Sequence, residues 1–336
     1  MVNLLGTFVG NTPYNGSSMK DSIWSEDGKD TTYQWYRTRD TFQGLRDWAD
    51  KLYYKDGLSQ YLDSDFVDQL RNNDFFARIW ELKVAEYLKL TGLKLVPTNG
   101  SGADFCVELD DHRKIWVEAV LAKEDETLKR IKENAIKTEG LYDYPKNEMT
   151  LRYSSSLFTK ANKIKDKYLG KSIGDDDIVL IAISGIAPGS GLDPDMENFL
   201  RAIMPMGDPV VHISTNGSPL DPSVRRSTHA SMPTVAKQNG AEVLKQFLYP
   251  GTDFPFIDGV LFAEARDLQG LMGRVYNVFS EDEYDGSLEP PHIFPNYTST
   301  KKIPAELTDY FYVHKFVDNP PLISLEEQEP NKNLVS

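Results

Sequence analysis

The amino-acid sequence predicts an α/β domain, because apolar runs of strand length alternate with stretches of helical periodicity. The clearest strand is IVLIAISG at 178–185, a continuous apolar run typical of a strand that is buried on both faces. Three further strands, 93–97, 103–109 and 114–122, precede it, and a tight hairpin link at 110–113 joins the last two. Helical patterns lie before and after these strands, so we expect one sheet covered by helices.

Periodicity and Gly boundaries predict the remaining elements. The predicted helices are 41–62, 65–91 with Gly92 as its C-terminal cap, 124–138, a segment within 151–171, 193–204 and 241–250. The further predicted strands are 209–214, 256–265, 273–280 and 310–316, and a loop is predicted at 215–235.

The chain is predicted to contain one domain with an addition at each end. Residues 1–37 form an N-terminal arm, 38–320 the α/β domain, and 321–336 a polar, flexible tail. The arm contains interleaved aromatic residues: Trp24, Tyr33, Trp35 and Tyr36. These rings either dock on the domain or stack on nucleic-acid bases. Docking is favoured, because exposed aromatic patches are uncommon on soluble proteins.

Composition and charge exclude several classes of protein. No apolar run approaches the roughly 18 residues that a membrane span needs, and the N-terminus lacks the features of a signal peptide, so a cytoplasmic protein without a membrane partner is expected. The single Cys106 excludes an internal disulfide and a cysteine-based zinc cluster. The net charge of −14 opposes non-specific binding to nucleic acid but is compatible with a local basic groove.

Histidine gives no signal for a metal site. The five histidines lack metal-ligand spacing along the chain: His112, His212, His229, His292 and His314.

Three acidic residues are candidates for a divalent-metal site. Glu81 lies beside the apolar face of a predicted helix, Asp104 follows a Gly-rich turn, and Glu118 lies mid-strand. Glu81 can also be interpreted as a helix-surface carboxylate, and Asp104 as a turn residue. Glu118 is harder to explain in this way, because an unpaired carboxylate in an apolar strand is costly to bury. Oxygen ligands of this kind suit a hard cation such as Mg²⁺.

A basic stripe lies on the predicted helix within 151–171. Its apolar positions recur at helical spacing: Leu157, Ala161, Ile164 and Tyr168. Ser156, Lys160 and Lys163 recur one residue earlier, so the lysines border the buried edge of the helix. A solvated face is the simpler interpretation of this stripe. The functional interpretation is a cationic partner for the three carboxylates.

The order of the carboxylates resembles the PD-(D/E)XK nuclease superfamily. Glu81 in RIWELK resembles the helical Glu of that family, Asp104 in GADF its Pro-Asp, and Glu118 in WVEAV its acidic residue on the next strand. The sequence departs from the family pattern in two places. Ala103 stands where the motif has proline, and Val120 stands where it has lysine.

The resemblance implies a restriction-endonuclease-like fold, with a mixed central sheet flanked by helices and with N- and C-terminal additions. It implies a metal-dependent endonuclease that hydrolyses DNA phosphodiester bonds, in restriction, defence or repair. The implied cofactor is Mg²⁺, with Mn²⁺ as a substitute, and a homodimer is the form expected from the family.

The resemblance also implies a role for each candidate residue. Asp104 and Glu118 would hold the metal, and Glu81 would assist through a water or a second ion. Lys160 would replace the missing motif lysine and act near the attacking water, with Lys163 and Lys123 as weaker substitutes. Arg152 and Lys163 would bind substrate. The alternative is a non-catalytic protein of the same fold that binds nucleic acid or another protein. Val120 and the acidic net charge motivate this alternative.

Overall fold

The computed structural model describes residues 22–137, 145–185, 195–210, 227–263, 290–319 and 322–332. The predicted strand at 273–280, residues 211–214 and residues 1–21 of the predicted arm lie outside these ranges.

Twelve strands lie in the described residues. They are β1 (Lys94–Val96), β2 (Phe105–Glu108), β3 (Lys114–Leu121), β4 (Ile178–Ser184), β5 (Met206–Pro209), β6 (Ser227–Ser231), β7 (Thr234–Ala236), β8 (Glu242–Leu244), β9 (Gly259–Ala263), β10 (His292–Pro295), β11 (Tyr312–Asn319) and β12 (Leu322–Gln328). Ten of them form one sheet in the order β1-β2-β3-β4-β9-β10-β11-β12-β6-β5, and β7 and β8 form a separate pair.

The helices of the described part of the chain cover the sheet. They are α1 (Thr31–Thr38), α2 (Gln43–Asp50), α3 (Phe66–Asn72), α4 (Phe75–Leu90), α5 (Glu126–Lys137), α6 (Lys146–Lys167), α7 (Asp195–Ile203) and a short α8 (Ala305–Thr308). A π-helical turn at Lys51–Lys55 continues α2, and the predicted cap Gly92 follows α4 with a positive φ of 76°. None of the described helices combines the length and the apolar character that a membrane span requires.

The sheet is mixed, as predicted. β3, β4 and β9 run parallel, and β10 pairs with β11 in parallel, whereas β1, β2 and β3 are joined by antiparallel pairing. Each face of β3 and β4 contributes to a different core. Val117 and Leu180 pack in the core that contains α4, and Trp116 and Ile181 pack in the core that contains α6 and α7. A mixed α/β sheet flanked by helices is therefore the architecture of the chain.

The aromatic residues near the N-terminus dock on the domain. Trp24, Tyr33 and Tyr36 are buried in the core with α4, and Trp35 packs against it. Trp24 stacks on Tyr33 with ring centroids 5.4 Å apart, and the ring of Tyr36 stacks on Phe75 of α4 at 4.9 Å. These rings are part of the core, so they are not a surface for stacking on nucleic-acid bases.

The helix predicted at 241–250 is wrong. Residues Glu242–Leu244 form β8, which pairs with β7 across a turn that contains Asn239 and Gly240. Gly240 has a φ of +80°, and an Asn-Gly pair is the turn sequence that hairpins prefer. The loop predicted at 215–235 is wrong from residue 227 onward, because β6 and the start of β7 lie there, and residues 215–226 lie outside the described ranges.

Two other predictions are wrong: one predicted helix is divided in two, and the predicted C-terminal tail contains a strand. The helix predicted over 65–91 is divided into α3 and α4, because Asn73 and Asp74 have non-helical backbones. The flexible tail predicted from residue 321 contains β12, which lies between β11 and β6 in the sheet. Its acidic composition is typical of a solvated tail, although Ile323 of β12 is buried in the core and Glu327 is exposed.

Gly102 is held against the indole ring of Trp116. A Cβ added at Gly102 would lie 2.3 Å from a ring carbon of Trp116, and that ring is fixed by a hydrogen bond from its Nε1 to Asp177. We expect Gly102→Ala to lower the free energy of unfolding by about 1–3 kcal/mol, as overpacked cores do. Urea denaturation measures the change. Gly44→Ala is the control, because an added Cβ there has no neighbour within 4 Å; an equal loss in both variants would contradict the account.

Candidate functional site

Glu118 is the centre of the site. It lies in the middle of β3, and its side chain is 0% exposed. Its Oε1 accepts hydrogen bonds from Lys160 Nζ at 2.5 Å and from Lys163 Nζ at 2.6 Å. Its Oε2 is buried and accepts no hydrogen bond from the described residues. Glu118 therefore has two cationic partners on one oxygen and an available acceptor on the other.

Asp104 lies next to this group, at the end of the turn that precedes β2. Its Oδ2 accepts a hydrogen bond from the backbone N–H of Ala119, at 2.7 Å, which fixes the carboxylate against β3. Asp104 Oδ2 lies 3.9 Å from Lys160 Nζ, and Asp104 Oδ1 lies 3.9 Å from Lys163 Nζ. The two predicted metal ligands therefore share both lysines.

The orientation of α6 places the two lysines. The predicted apolar positions Leu157, Ala161 and Ile164 are all fully buried, and they fix which side of α6 faces the sheet. Lys160 and Lys163 are three residues apart, so they share a helix face beside that buried side. Their ammonium groups reach Glu118, although Val120 occupies the motif position on β3 itself. The structure thus brings together Asp104, Glu118, Lys160 and Lys163, as predicted from the sequence.

Glu81 is the third candidate carboxylate, and its ion pair is with Arg78 of the same helix, α4. Its Oε2 forms a salt bridge with Arg78 at 2.6 Å, and the residue is 7% exposed. Burial raises the pKa of Glu81 well above its usual range, Asp104 raises it further, and Arg78 and Lys160 oppose the rise. The charges of Asp104 and Lys160 therefore act on the pKa of Glu81, whose own ion pair is with Arg78.

The pKa values of Glu118 and Lys163 are also shifted. Burial, and then Asp104, raise the pKa of Glu118, while Lys160 and Lys163 oppose the rise. Burial lowers the pKa of Lys163, but the nearby Glu118 and Asp104 outweigh burial and raise it overall. When all groups are ionised, the three carboxylates balance Arg78 and the two lysines.

The raised pKa of Glu81 predicts a dependence of stability on pH. In the folded protein this carboxyl holds its proton above pH 4.5, the usual value, so stability falls as the pH rises through the raised pKa. We expect this fall to be less steep for Glu81→Gln than for the parent protein, by up to about 1.4 kcal/mol per pH unit. Urea denaturation at several pH values measures the slopes. Glu126→Gln, on the exposed surface of α5, is the control. If both variants kept the parent slope, a raised pKa of Glu81 in the folded protein would be refuted.

Arg152 and Lys123 bond elsewhere. Arg152 Nε donates to the backbone carbonyl of Lys123 at 2.8 Å, and its guanidinium lies 3.7 Å from Asp125. Lys123 Nζ pairs with Asp74 at 2.5 Å. The structure therefore brings Lys163, but not Arg152, to the carboxylates.

A separate cleft of about 500 Å³ lies along the same helix. It is lined by Arg152, Ser155 and Phe158 of α6 and by Lys237 and Gln238 of the β7–β8 turn, among others. Asp104, Glu118 and Lys160 do not line it. The carboxylate cluster is the stronger candidate for a functional site than this cleft, because its charged groups are buried and interact with one another. The Lys237 side of the cleft was not predicted from the sequence, although Asn239-Gly240 is a local signal for the hairpin that positions it.

The donor set of the cluster fits a hard cation. Asp104 and Glu118 offer carboxylate oxygens, and the buried Oε2 of Glu118 has an unused acceptor position. Mg²⁺ commonly uses only one or two carboxylates and fills its other positions with waters and substrate phosphate. Among the described residues, the group that brings three candidate ligand atoms within 4.8 Å of one another lies elsewhere in the sheet. Asp104 and Glu118 therefore fit a two-carboxylate site and do not form a three-carboxylate cage with Glu81.

The fold and the site define a mixed α/β protein with a partly buried cluster of acidic and lysine side chains. The chain matches no protein-family model, no curated protein and no solved structure. Its function is therefore inferred from the chemistry of the cluster.

Proposed function

We propose that the chain is a Mg²⁺-dependent nuclease that hydrolyses DNA phosphodiester bonds, with a restriction-endonuclease-like domain. The observation that carries this proposal is the position of Lys160 Nζ, 2.5 Å from Glu118 and 3.9 Å from Asp104. A lysine on α6 thereby supplies the cation that Val120 does not. The proposed enzyme needs no lysine on β3, because α6 brings Lys160 to the two carboxylates.

Each residue has a defined role in the proposal. Asp104 and Glu118 would hold the ion through carboxylate oxygens, and Mn²⁺ would substitute for Mg²⁺. A bound Mg²⁺ supplies Lewis-acid activation of the scissile phosphate. Lys160 would lie near the water that attacks the phosphorus as the bond to the leaving oxygen breaks, and its ammonium group would offset the negative charge that develops on the phosphate. Glu118 Oε1 holds this ammonium group in place, and Lys163 serves as a second phosphate contact.

The electrostatics of the cluster favour an anionic substrate. The ionised side chains already balance one another, so a divalent cation adds net positive charge to a partly buried site. Phosphate groups of DNA would offset that charge, which predicts that metal and DNA bind cooperatively. The overall charge of −14 opposes binding of DNA at other surfaces, so binding is expected to depend strongly on this site.

Cleavage of a supercoiled plasmid tests the proposal. The parent protein should cut the plasmid with Mg²⁺ or Mn²⁺ and not with a chelator, whereas Asp104→Ala and Glu118→Ala should not cut. Asp110→Ala, in the exposed turn after β2, is the matched control and should cut like the parent protein. Equal cutting by the parent protein and the Asp104 and Glu118 variants would refute the assignment.

One observation favours the alternative of a non-catalytic protein. Both lysines already bond to Glu118 Oε1, so the cluster is electrically balanced without an ion. Such a protein would use the same face to bind nucleic acid or another protein. DNA binding without Mn²⁺ binding, and without cleavage, would be the result that this alternative predicts.

A further inference from the structure

Three adjacent strands bring two histidines and one glutamate together at a second place in the sheet. His292 begins β10, His314 lies on β11, and Glu327 lies on β12. His314 and Glu327 are directly opposite each other in the antiparallel register. In the parallel register His292 is opposite Tyr312, which puts it diagonally across from His314 on the same face. The two histidines are 22 residues apart in the sequence, so no local motif indicates that they meet.

The side chains converge at contact distance. His292 Nδ1 lies 2.8 Å from His314 Nε2, and that same Nε2 lies 3.4 Å from Glu327 Oε2. The ring of His314 stacks on Phe294 with centroids 4.3 Å apart, and the ring of His292 stacks on Tyr312 at 5.0 Å. This stacking fixes the orientation of both rings, so His292 Nδ1 and His314 Nε2 already face each other.

His314 is the buried member of the group. His314 is 2% exposed, and its Nδ1 makes no hydrogen bond to the described residues. If no ion is present, the two facing nitrogens can share only one proton, which serves one acceptor at a time. The group holds three atoms with lone pairs: two imidazole nitrogens and a carboxylate oxygen. A divalent cation satisfies all three together.

We propose that His292, His314 and Glu327 form a transition-metal site, with Zn²⁺ as the ion. Two imidazole nitrogens and one carboxylate oxygen are ligands that Zn²⁺ accepts, whereas Mg²⁺ prefers oxygen ligands alone. Three protein ligands leave one position of a tetrahedral ion for water or a small anionic ligand. Glu327 is 49% exposed, so this position is reached from the solvent side of the carboxylate.

This site is separate from the carboxylate–lysine cluster. Glu118 lies on β3 and His314 on β11, four positions apart in the sheet. At about 4.8 Å per strand, the two sites are roughly 15–20 Å apart. The inference therefore does not depend on the proposed nuclease activity.

Zinc titration of the metal-free chain, followed by calorimetry, tests the inference, and the visible spectrum of Co²⁺ reports nitrogen ligation. We expect the parent chain to bind one Zn²⁺ at this site. His292→Asn and Glu327→Gln should each raise the Kd by at least about 100-fold, since even groups outside the coordination shell contribute about 10- to 100-fold. Glu327 is exposed, so its substitution does not disturb the core.

Two matched controls separate this site from non-specific binding. Glu326→Gln changes the neighbouring residue on the other face of β12, and His112→Asn changes a histidine in the exposed turn before β3. Both should bind Zn²⁺ like the parent chain. The inference is overturned if the parent chain binds no Zn²⁺, or if His292→Asn and Glu327→Gln bind it as tightly as the controls.

Discussion

Lys160→Met is expected to lower the rate of DNA cleavage by about 10²- to 10⁴-fold, the range that a positioned proton-transfer or charge-stabilising group contributes. The Lys160 ammonium lies 2.5 Å from Glu118 and 3.9 Å from Asp104, so its loss removes one of the two cations that these carboxylates share. Methionine keeps the apolar stem that packs along α6, so the helix should stay docked. Lys163 still bonds to Glu118 in this variant, which limits the loss of stability. Initial rates of plasmid nicking, measured with Mg²⁺, give the comparison.

Two further variants sharpen this result. Lys165→Met removes an exposed lysine from the same helix and should leave the rate unchanged. Val120→Lys, added to Lys160→Met, restores a lysine to β3 and should recover part of the lost rate. If Lys160→Met cut DNA as fast as Lys165→Met, Lys160 would have no part in catalysis.

The double variant Lys160→Met with Lys163→Met is expected to lower the free energy of unfolding by about 3–5 kcal/mol. Glu118 is fully buried, and these two lysines are the cations that bond to it. Their removal leaves a buried carboxylate without a partner, which is far more costly than the loss of an exposed ion pair. Urea denaturation at pH 8 measures the effect.

The pH dependence of stability and the added substitution Glu118→Leu test whether the buried charge of Glu118 causes this loss of stability. Without the lysines the pKa of Glu118 rises further, so the folded state takes up a proton and the loss of stability should be smaller at pH 5 than at pH 8. Adding Glu118→Leu removes the buried charge and should recover most of the lost stability. A triple variant less stable than the double variant would show that Glu118 contributes through packing and not through its ion pairs.

Local sequence patterns were sufficient to predict the elements that position the site. The apolar run of β4 and the spacing of Leu157, Ala161 and Ile164 report which side chains are buried. The alternation of side chains along β3 places Glu118 on the same face as Trp116. The buried positions also predict where Lys160 lies. It precedes the buried Ala161 by one residue, so it lies at the border of the face of α6 that packs on the sheet. The lysine on α6 was therefore predictable even though the motif position on β3 holds Val120.

Elements that depend on distant pairing were not predictable in the same way. β12 is a strand because β11 and β6 flank it, and its own composition resembles an acidic tail. The grouping of His292, His314 and Glu327 follows from the register of three strands, which no local spacing encodes. The β7–β8 hairpin differs, because Asn239-Gly240 is a local signal whose preference for a turn outweighed the helical pattern after it.

The central claim is that Asp104 and Glu118 hold a divalent cation beside the lysines of α6. Electron paramagnetic resonance of Mn²⁺, in the presence of a short DNA duplex, tests it directly. His292→Asn serves as the background in both arms, so that the second metal-site candidate does not contribute. The account predicts that this protein binds Mn²⁺ and that adding Glu118→Gln abolishes the bound signal. Equal Mn²⁺ binding with and without Glu118→Gln would contradict it.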